Sequence, residues 1–372
     1  MNIEVLLNLL SEKEGSDLYI TADMVPSMKL SGKLVAIGKK ILSPEDAGNL
    51  VLSTMDAEQQ VEFKRDKELN FAITSKQGKR FRVSAFIQRN NNAMVIRRIE
   101  SDIPTLDGLN MPDVFKDLAM TKRGLIIVVG ATGSGKSTTL AAMIGHRNAK
   151  SRGHIITIED PIEFIHEHNN CIVSQREVGV DTESFDVALK NTLRQAPDVI
   201  LIGEVRSAET MKYALNFAET GHLCLCTLHA NNANQALDRI IHFFPSDMHS
   251  QIWMDLSLNM KAIIAQQLVP KVGGGRVAAT EILMNTPMVS DLVRKGDVPQ
   301  IKDVMERSTE QGMITFDRCL YNNYEAGNIT LDDAMAYADS PNNVRLMAKL
   351  NKDTDTGDDA DFSAWVMSED ES

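Results

Sequence analysis

The sequence has no long uninterrupted run of apolar residues, and this absence argues against a membrane-spanning helix. No apolar stretch approaches the ~18 residues that a spanning helix needs. Residues 1–17 lack the basic start and small-residue cleavage site of a secretory signal, and their pattern predicts a short amphipathic helix that ends at Gly15. The 4 cysteines have no framework spacing, which argues against a disulfide scaffold. We therefore expect a cytoplasmic protein.

Positive charge is also scarce. The 372-residue chain has 39 Lys and Arg against 51 Asp and Glu, and its net charge is −12. Residues 352–372 alone carry eight acids and one lysine. An acid excess disfavours non-specific binding to nucleic acids and anionic membranes. We therefore expect no nucleic-acid partner, and membrane association only through partner proteins.

Two patterns of apolar residues divide the chain into two domains and a tail. Short alternating runs around one helical stretch from Ser43 to about Asp66 predict a small α+β domain with an antiparallel sheet. Alternating strand and helix patterns then predict an α/β domain with a mostly parallel sheet. The predicted divisions are 1–100 (α+β domain), 101–113 (linker with two prolines and a glycine), 114–350 (α/β domain) and 351–372 (acidic, disordered tail). The predicted parallel strands are Leu125–Val129, His154–Ile158, Val199–Ile202 and Leu223–Thr227.

A glycine-rich segment, "GATGSGKST", stands between the first of these strands and a helical pattern. It fits G-x-x-x-x-G-K-[ST], whose glycines let backbone N–H groups surround a phosphate. The following helix directs its positive end toward the same anion. We expect Lys136 to reach the β- and γ-phosphates of ATP and Ser137 to bind Mg²⁺; the alternative is a turn that binds nothing. The candidate ATP-binding residues here are Gly130, Thr132, Gly133, Ser134, Gly135, Lys136, Ser137 and Thr138.

Acidic residues follow two other predicted strands. Glu204 ends "DVILIGE", and Glu159, Asp160 and Glu163 end "IITIEDPIEF". Ligands of open α/β sheets bind at the carboxyl ends of the strands, so these acids are expected to converge there. We predict Mg²⁺ ligands, direct or through water, at Ser137, Glu159 and Glu204. The alternative is that these acids are charges in water at strand ends.

Two histidines bracket the strand pattern "LCLCTL". His229, just past this strand, is a candidate contact of the γ-phosphate, and a loop histidine without that role is the alternative. His222, Cys224 and Cys226 share one face by alternation, which leaves a zinc site open. A closed structural zinc site normally has four ligands, however, and no second cysteine pair is present.

These segments together resemble the secretion and pilus ATPase superfamily, and in particular the type IV pilus retraction ATPases (the PilT/PilU family). The resemblance covers nearly all of residues 1–350, including the phosphate loop, "EDPIEF", "LIGEVR" and "GHLCLCTLHA". It implies a PAS-like N-terminal domain, a RecA-like P-loop ATPase domain and a homo-hexameric ring. It also implies site roles: Glu163 polarises the attacking water, Glu204 belongs to a modified Walker B segment, and His222 and His229 face the nucleotide. The resemblance further implies that arginines of the N-terminal domain complete the site; Arg82 and Arg97 match here, and Arg98 and Arg123 are further candidates.

Two departures place the chain within that family. At the position where the assembly-type ATPases have a segment like a zinc ribbon with paired cysteines, this chain has only "KVGGG". This favours a retraction ATPase over an extension or secretion ATPase. Retraction motors usually have a helical motif at the position of residues 288–297, and this chain, with "MVSDLVRKGD", matches it only at Leu292 and Arg294. The chain also has an extra acidic tail. This looks like the PilU branch, the accessory partner of the principal retraction ATPase. The tail residues Phe362, Trp365 and Val366 share a helical face that is a candidate for docking on a basic groove, with simple disorder as the alternative.

The sequence therefore predicts an ATP hydrolase with catalytic residues Lys136, Glu163 and Glu204. The resemblance implies a hexameric motor or motor accessory for type IV pilus retraction. Its expected partners are the principal retraction ATPase and the inner-membrane pilus platform protein, at the cytoplasmic face of that membrane. A non-hydrolysing structural adaptor of the principal motor is the alternative. A RecA-like nucleic-acid motor is disfavoured by the negative charge and the lack of aromatic-basic stretches.

Overall fold

The computed structural model describes residues 2–30, 32–99, 102–308 and 312–355, and the side chains of these residues as far as 350. The predicted docking residues of the acidic tail lie outside these ranges. Among the described residues, no helix combines the length and the apolar character needed to cross a bilayer.

The N-terminal domain is a six-stranded antiparallel sheet with three helices. The strand order is β3-β2-β1-β6-β5-β4, and alternate residues of the long strand β5, such as Phe81 and Val83, are buried against the helices. The α+β prediction is confirmed. The elements are α1 (Ile3–Glu12), β1 (Asp17–Ile20), β2 (Ser27–Leu30), β3 (Lys33–Ala36), α2 (Pro44–Leu52), α3 (Ala57–Asp66), β4 (Glu68–Thr74), β5 (Arg80–Gln88) and β6 (Asn91–Arg98).

The single helix predicted from Ser43 to Asp66 is wrong, because the structure has two helices there. Asp56 caps α3, accepting a hydrogen bond from the Gln59 amide while the Gln59 side chain accepts one from the Asp56 amide. Such a capping box is a helix start, so the chain cannot continue α2 through it.

The second domain contains a seven-stranded sheet in the order β13-β12-β7-β11-β10-β8-β9. All neighbours are parallel except β12 and β13. The predicted parallel sheet is confirmed, with an antiparallel hairpin at one edge. Its elements are α4 (Val114–Ala119), β7 (Gly124–Val129), α5 (Lys136–Lys150), β8 (Gly153–Glu159), β9 (Cys171–Glu177), α6 (Phe185–Thr192), β10 (Val199–Ile202), α7 (Ala208–Glu219), β11 (Leu223–Leu228), α8 (Ala233–His242), α9 (His249–Asn259), β12 (Met260–Pro270) and β13 (Arg276–Met284).

This sheet is buried on both faces. In β7, Ile127 and Val129 face one apolar cluster, while Ile126 and Val128 face the other. Burial on both sides explains why the strand reads as a continuous apolar run instead of an alternating one. Strands β7 and β8 are consecutive in the chain but separated by β11 and β10 in the sheet. The strand order therefore opens a crevice at their carboxyl ends, where α/β sheets bind ligands.

The segment predicted as a linker packs against this domain, since Leu106 and Met111 are buried in the same cluster as Phe115 of α4. The last helices cover the β12–β13 side of the sheet. They are α10 (Pro287–Lys295), α11 (Ile301–Arg307), α12 (Phe316–Glu325), α13 (Leu331–Tyr337) and α14 (Pro341–Asp355). Helix α14 includes the first five residues of the predicted tail.

Candidate nucleotide site

The predicted phosphate loop connects the end of β7 to the start of α5. Gly130, Gly133 and Gly135 all have positive φ, at +155°, +79° and +88°. A Cβ at Gly130 would collide with the Gln266 carbonyl oxygen and the Ser134 hydroxyl, and one at Gly135 would lie 2.8 Å from Gln266 Nε2. Glycine is therefore required by backbone conformation at all three positions, and additionally by space at two of them.

The start of α5 is suited to an anion. Gly135 precedes the helix and has no side chain, so it leaves the first-turn N–H groups without an N-cap acceptor. Lys136 Nζ donates to the carbonyl oxygens of Gly130 (2.8 Å) and Ala131 (2.9 Å), which holds the ammonium over the loop. Burial lowers the pKa of Lys136, and the nearby charge of Glu204 opposes this shift. The Ser134 hydroxyl is buried with no hydrogen-bond partner among the described residues. Uncapped amides, an ammonium and an orphaned hydroxyl fit a phosphate group.

Glu204 lies two residues past β10, next to the end of β11. Its Oε1 is 3.0 Å from His229 Nε2, and its Oε2 is 2.7 Å from Arg206 Nη2. The two strand ends are tied together because Thr227 donates to the Gly203 carbonyl. The structure therefore unites Glu204 and His229, as their positions after neighbouring strands predict, and adds Arg206, which the sequence analysis did not select.

Glu159 ends β8 and is held by two donors. Its Oε1 accepts hydrogen bonds from Thr157 Oγ1 (2.6 Å) and Gln175 Nε2 (3.3 Å). Burial raises the pKa of Glu159 to about 7, and the charges of Glu163 and Glu177 act in the same direction. Glu159 is therefore partly protonated near neutral pH, and its protonated form is less suited to bind a metal ion than a carboxylate.

One cleft of about 330 Å³ gathers the predicted groups. The phosphate-loop residues in its wall are Thr132, Gly133, Lys136 and Ser137, and the strand-end residues are Glu159, Asp160, Glu163, Glu204, Arg206 and His229. Gly130 lines an adjoining pocket with His229, and Thr138 lies on α5 outside the cleft wall. Carboxylates and a serine hydroxyl are the oxygen ligands that Mg²⁺ prefers, so the donor set fits that ion. The cleft wall also includes His166, which sequence reasoning missed; burial lowers its pKa to about 4.

Arginines of the N-terminal domain face the acids of this cleft. Arg82 Nη2 is 3.9 Å from Asp160 Oδ1, and Arg82 Nε is 4.0 Å from the buried Glu177. Arg97 Nε is 2.8 Å from Asp17. Asp17 raises the pKa of the Arg97 guanidinium, with a smaller contribution from the charge of Glu163. Neither arginine lines the cleft within one chain.

The two other candidate arginines lie apart from the cleft wall. Arg98 donates to the Gly15 carbonyl at 3.1 Å. Arg123 is exposed at the start of β7.

His222 does not join the cleft, and its predicted contact with the nucleotide is not met within one chain. It precedes β11 whereas His229 follows it, and six residues of strand separate their backbones by about 20 Å. His222 Nδ1 lies 3.2 Å from both the Phe217 carbonyl and the Thr220 hydroxyl. Cys224 and Cys226 are buried in the apolar core. No group of three or more His, Cys, Asp or Glu side chains that could together hold a metal ion occurs in the described ranges.

A larger groove of about 860 Å³ lies between α4, α11, α12 and α14. Its wall includes apolar residues such as Met305, Met313 and Leu346, and none of the candidate nucleotide residues. The candidate nucleotide residues therefore line the smaller of these two cavities.

Comparisons with known proteins find relatives along most of this chain. The model of the Type II/IV secretion system protein family matches residues 51–274. The chain is 63% identical over 356 residues to the type IV pilus ATPase PilU of Pseudomonas aeruginosa, covering 95% of this chain and 93% of that protein. It is 40% identical over 343 residues to the type IV pilus retraction ATPase PilT of the same organism, covering 92% and 100%. The crystal structure of the pilus retraction motor PilT with bound ADP superposes with a TM-score of 0.88 at 38% identity, covering 93% of this chain and 100% of that one.

Proposed function

From the premise that this chain belongs to the Type II/IV secretion system protein family, we propose that it hydrolyses ATP to drive, or to help drive, the retraction of type IV pili. The observation that carries this proposal is one cleft that joins an uncapped glycine loop with Lys136 to the carboxylates of Glu204 and Glu163. Binding alone needs only the loop, whereas hydrolysis also needs groups that orient water. The likeness to a structure of PilT with bound ADP supports a nucleotide as the ligand.

The residues of the cleft have different proposed roles, which follow from their positions. Lys136 and the loop amides bind and orient the triphosphate, and the exposed Ser137 holds Mg²⁺ together with Glu204. The ion supplies charge neutralisation on the phosphates. Glu163, exposed in the same wall, accepts a proton from the attacking water. His229 contacts Glu204 and lines the pocket beside the start of the loop. A change of charge at the γ-phosphate position is therefore expected to change the contact between His229 and Glu204.

The assembly is proposed to be a homo-hexamer. Arg82 and Arg97 stand on the edge of the N-terminal domain that faces the acids but outside the cleft wall. A change in the relative position of the domains would bring them to the phosphates, where arginines neutralise developing charge. The ring is proposed to act at the cytoplasmic face of the inner membrane, with the platform protein and the principal retraction ATPase as partners. Light scattering of the purified protein tests the ring, and a monomer at micromolar concentration with ATP and Mg²⁺ would contradict it.

ATPase assays on purified protein test the enzymatic part. Lys136→Ala and Glu204→Ala are expected to reduce Mg²⁺-dependent phosphate release at least 100-fold, since each removes a group that binds the reacting phosphates or their metal. Lys150→Ala, at the exposed far end of the same helix α5, and Glu219→Ala, exposed at the end of α7, are matched controls that should retain wild-type rates. Equal activity of Lys136→Ala and Lys150→Ala would refute the proposal.

A non-hydrolysing adaptor remains the second candidate because both carboxylate oxygens of Glu204 are already engaged, by His229 and Arg206. Such a ring would use nucleotide only to hold its shape while the partner motor supplies force. The two functions separate in cells that carry the partner motor. If Lys136→Ala leaves pilus retraction at the wild-type rate, the chain is an adaptor; if retraction falls to the rate of a deletion strain, nucleotide use by this chain is required.

A further inference from the structure

Gln266 of β12 lies directly beside the phosphate loop. Strand β12 runs parallel to β7 with Ala265 opposite Val129, so Gln266 lies beside Gly130, the first residue of the loop. It is 3% exposed and follows the apolar run "AIIA". A polar amide buried at the end of an apolar strand is costly unless both of its ends are hydrogen-bonded.

Both ends of the Gln266 side chain are bonded, and both partners belong to the loop or to the helix that follows it. Nε2 donates to the Ser134 carbonyl at 2.9 Å, and Oε1 accepts from the Thr139 hydroxyl at 2.8 Å. The amide therefore connects the middle of the loop to the first turn of α5. A Cβ at Gly135 would meet Nε2 of the Gln266 side chain, whereas a Cβ at Gly130 would meet the main-chain carbonyl of Gln266 and the Ser134 hydroxyl. The Gln266 side chain therefore contacts the end of the loop and the first turn of α5, while its main chain lies against the start of the loop.

Gln267, the next residue, provides an internal comparison. It points to the opposite face of the strand, is half-buried, and donates to the Tyr337 carbonyl at 2.8 Å in the C-terminal helices. The two glutamines have the same side chain on the same strand and each makes a hydrogen bond to a carbonyl. Only Gln266 contacts the phosphate loop.

We propose that Gln266 is a positioning residue that holds the phosphate loop in its phosphate-binding shape before the nucleotide arrives. It does not line the cleft and so acts through Ser134 and Thr139. A glycine-rich loop has many accessible conformations, and ordering it on binding costs conformational entropy that weakens the affinity for the nucleotide. A loop that is already held in the binding conformation avoids this cost. This inference rests on the proposed nucleotide binding.

The test compares Gln266→Met with Gln267→Met. Methionine keeps the length of the side chain and removes both hydrogen bonds. Calorimetric titration with ADP and Mg²⁺ is expected to give about 10-fold weaker binding for Gln266→Met, the effect of a net loss of ~1.4 kcal/mol of hydrogen bonding. The KM for ATP should rise by a similar factor while kcat changes less than 3-fold, because the reacting groups are unchanged. Gln267→Met should bind ADP within 2-fold of wild type.

Two outcomes overturn the inference: equal ADP affinity in Gln266→Met and wild type, or equal weakening in both methionine variants. If Gln266→Met does not fold, Thr139→Val removes the hydroxyl donor with little change of volume, and ADP binding within 2-fold of wild type in that variant would also overturn it. Failure of the wild-type protein to bind ADP would instead refute the proposed function, so the two failures are distinguishable.

Discussion

Replacing Glu281 with glutamine is expected to remove a pH dependence from the stability of the ATPase domain. Glu281 lies on β13, is 3% exposed, and accepts a hydrogen bond from the Ala233 amide at 2.9 Å. The pKa of Glu281 is raised from 4.5 to about 7, chiefly by burial; the charge of Asp339 acts in the same direction, while hydrogen bonds from the Ala233 and Phe316 amides and the charge of Lys302 oppose the shift. The folded state therefore favours the neutral acid.

The sign of the effect follows from linkage. A raised carboxyl pKa contributes stability that is fully present below the unfolded-state pKa and is lost as the pH rises through the folded-state pKa. With pKa values of 4.5 unfolded and about 7 folded, the free energy of unfolding of the wild type should fall by ~2.5 kcal/mol between pH 5 and pH 8 through this group alone. Glutamine does not titrate, and its side-chain oxygen can still accept the hydrogen bond from the Ala233 amide. The free energy of unfolding of Glu281→Gln should therefore not show this fall between pH 5 and pH 8.

Urea unfolding at pH 5, 6.5 and 8 measures the difference. The chain has 2 tryptophans, and a Trp365→Phe background leaves Trp253, which packs against the core of the ATPase domain, as the reporter. Glu219→Gln, an exposed carboxylate at the end of α7, is the control and should follow the wild type at every pH. Parallel pH profiles for wild type and Glu281→Gln would refute the reasoning.

Three further predictions concern the loop, the N-terminal domain and the thiols. Gly130→Ala should weaken ADP binding at least 10-fold more than Gly133→Ala in calorimetry, because a Cβ at 133 has open space around it and meets only a ~1–2 kcal/mol conformational penalty. Arg97→Ala should destabilise the N-terminal domain by about 1–3 kcal/mol by leaving the buried Asp17 carboxylate without its cation. Adding Asp17→Asn should recover part of that loss in thermal melts, and strict additivity would contradict the pairing. All four cysteines are buried, so a thiol reagent at pH 8 should label none of them within minutes and all of them in denaturant.

The phosphate loop and the strand-end acids could be predicted from local sequence because their chemistry is encoded in short contiguous patterns. A buried strand, a glycine turn and a helix with Lys136 at its start follow one another in the chain, and backbone sterics restrict what such a segment can form. Glu204 and His229 could also be predicted to meet, since both follow neighbouring parallel strands. Their partner Arg206 is signalled only weakly, as one charge in "GEVR".

Other features depended on the assembled fold. The resemblance implies that His222 and His229 both face the nucleotide, whereas in the folded chain they lie at opposite ends of β11 and only His229 lines the cleft. Gln266 is about 130 residues from the loop that it holds, and nothing local distinguishes it from Gln267. The near-neutral pKa values of Glu159 and Glu281 likewise come from burial.

The sequence by itself determined the two-domain organisation, the parallel sheet and the phosphate loop, because apolar periodicity and glycine sterics act over a few residues. Only the tertiary structure decided which distant side chains contact that loop, which carboxyl groups lose their water, and which arginines face the acids. Those properties depend on the order of strands in the sheet and on the packing of one domain against the other. Both bring together residues that the chain itself keeps far apart.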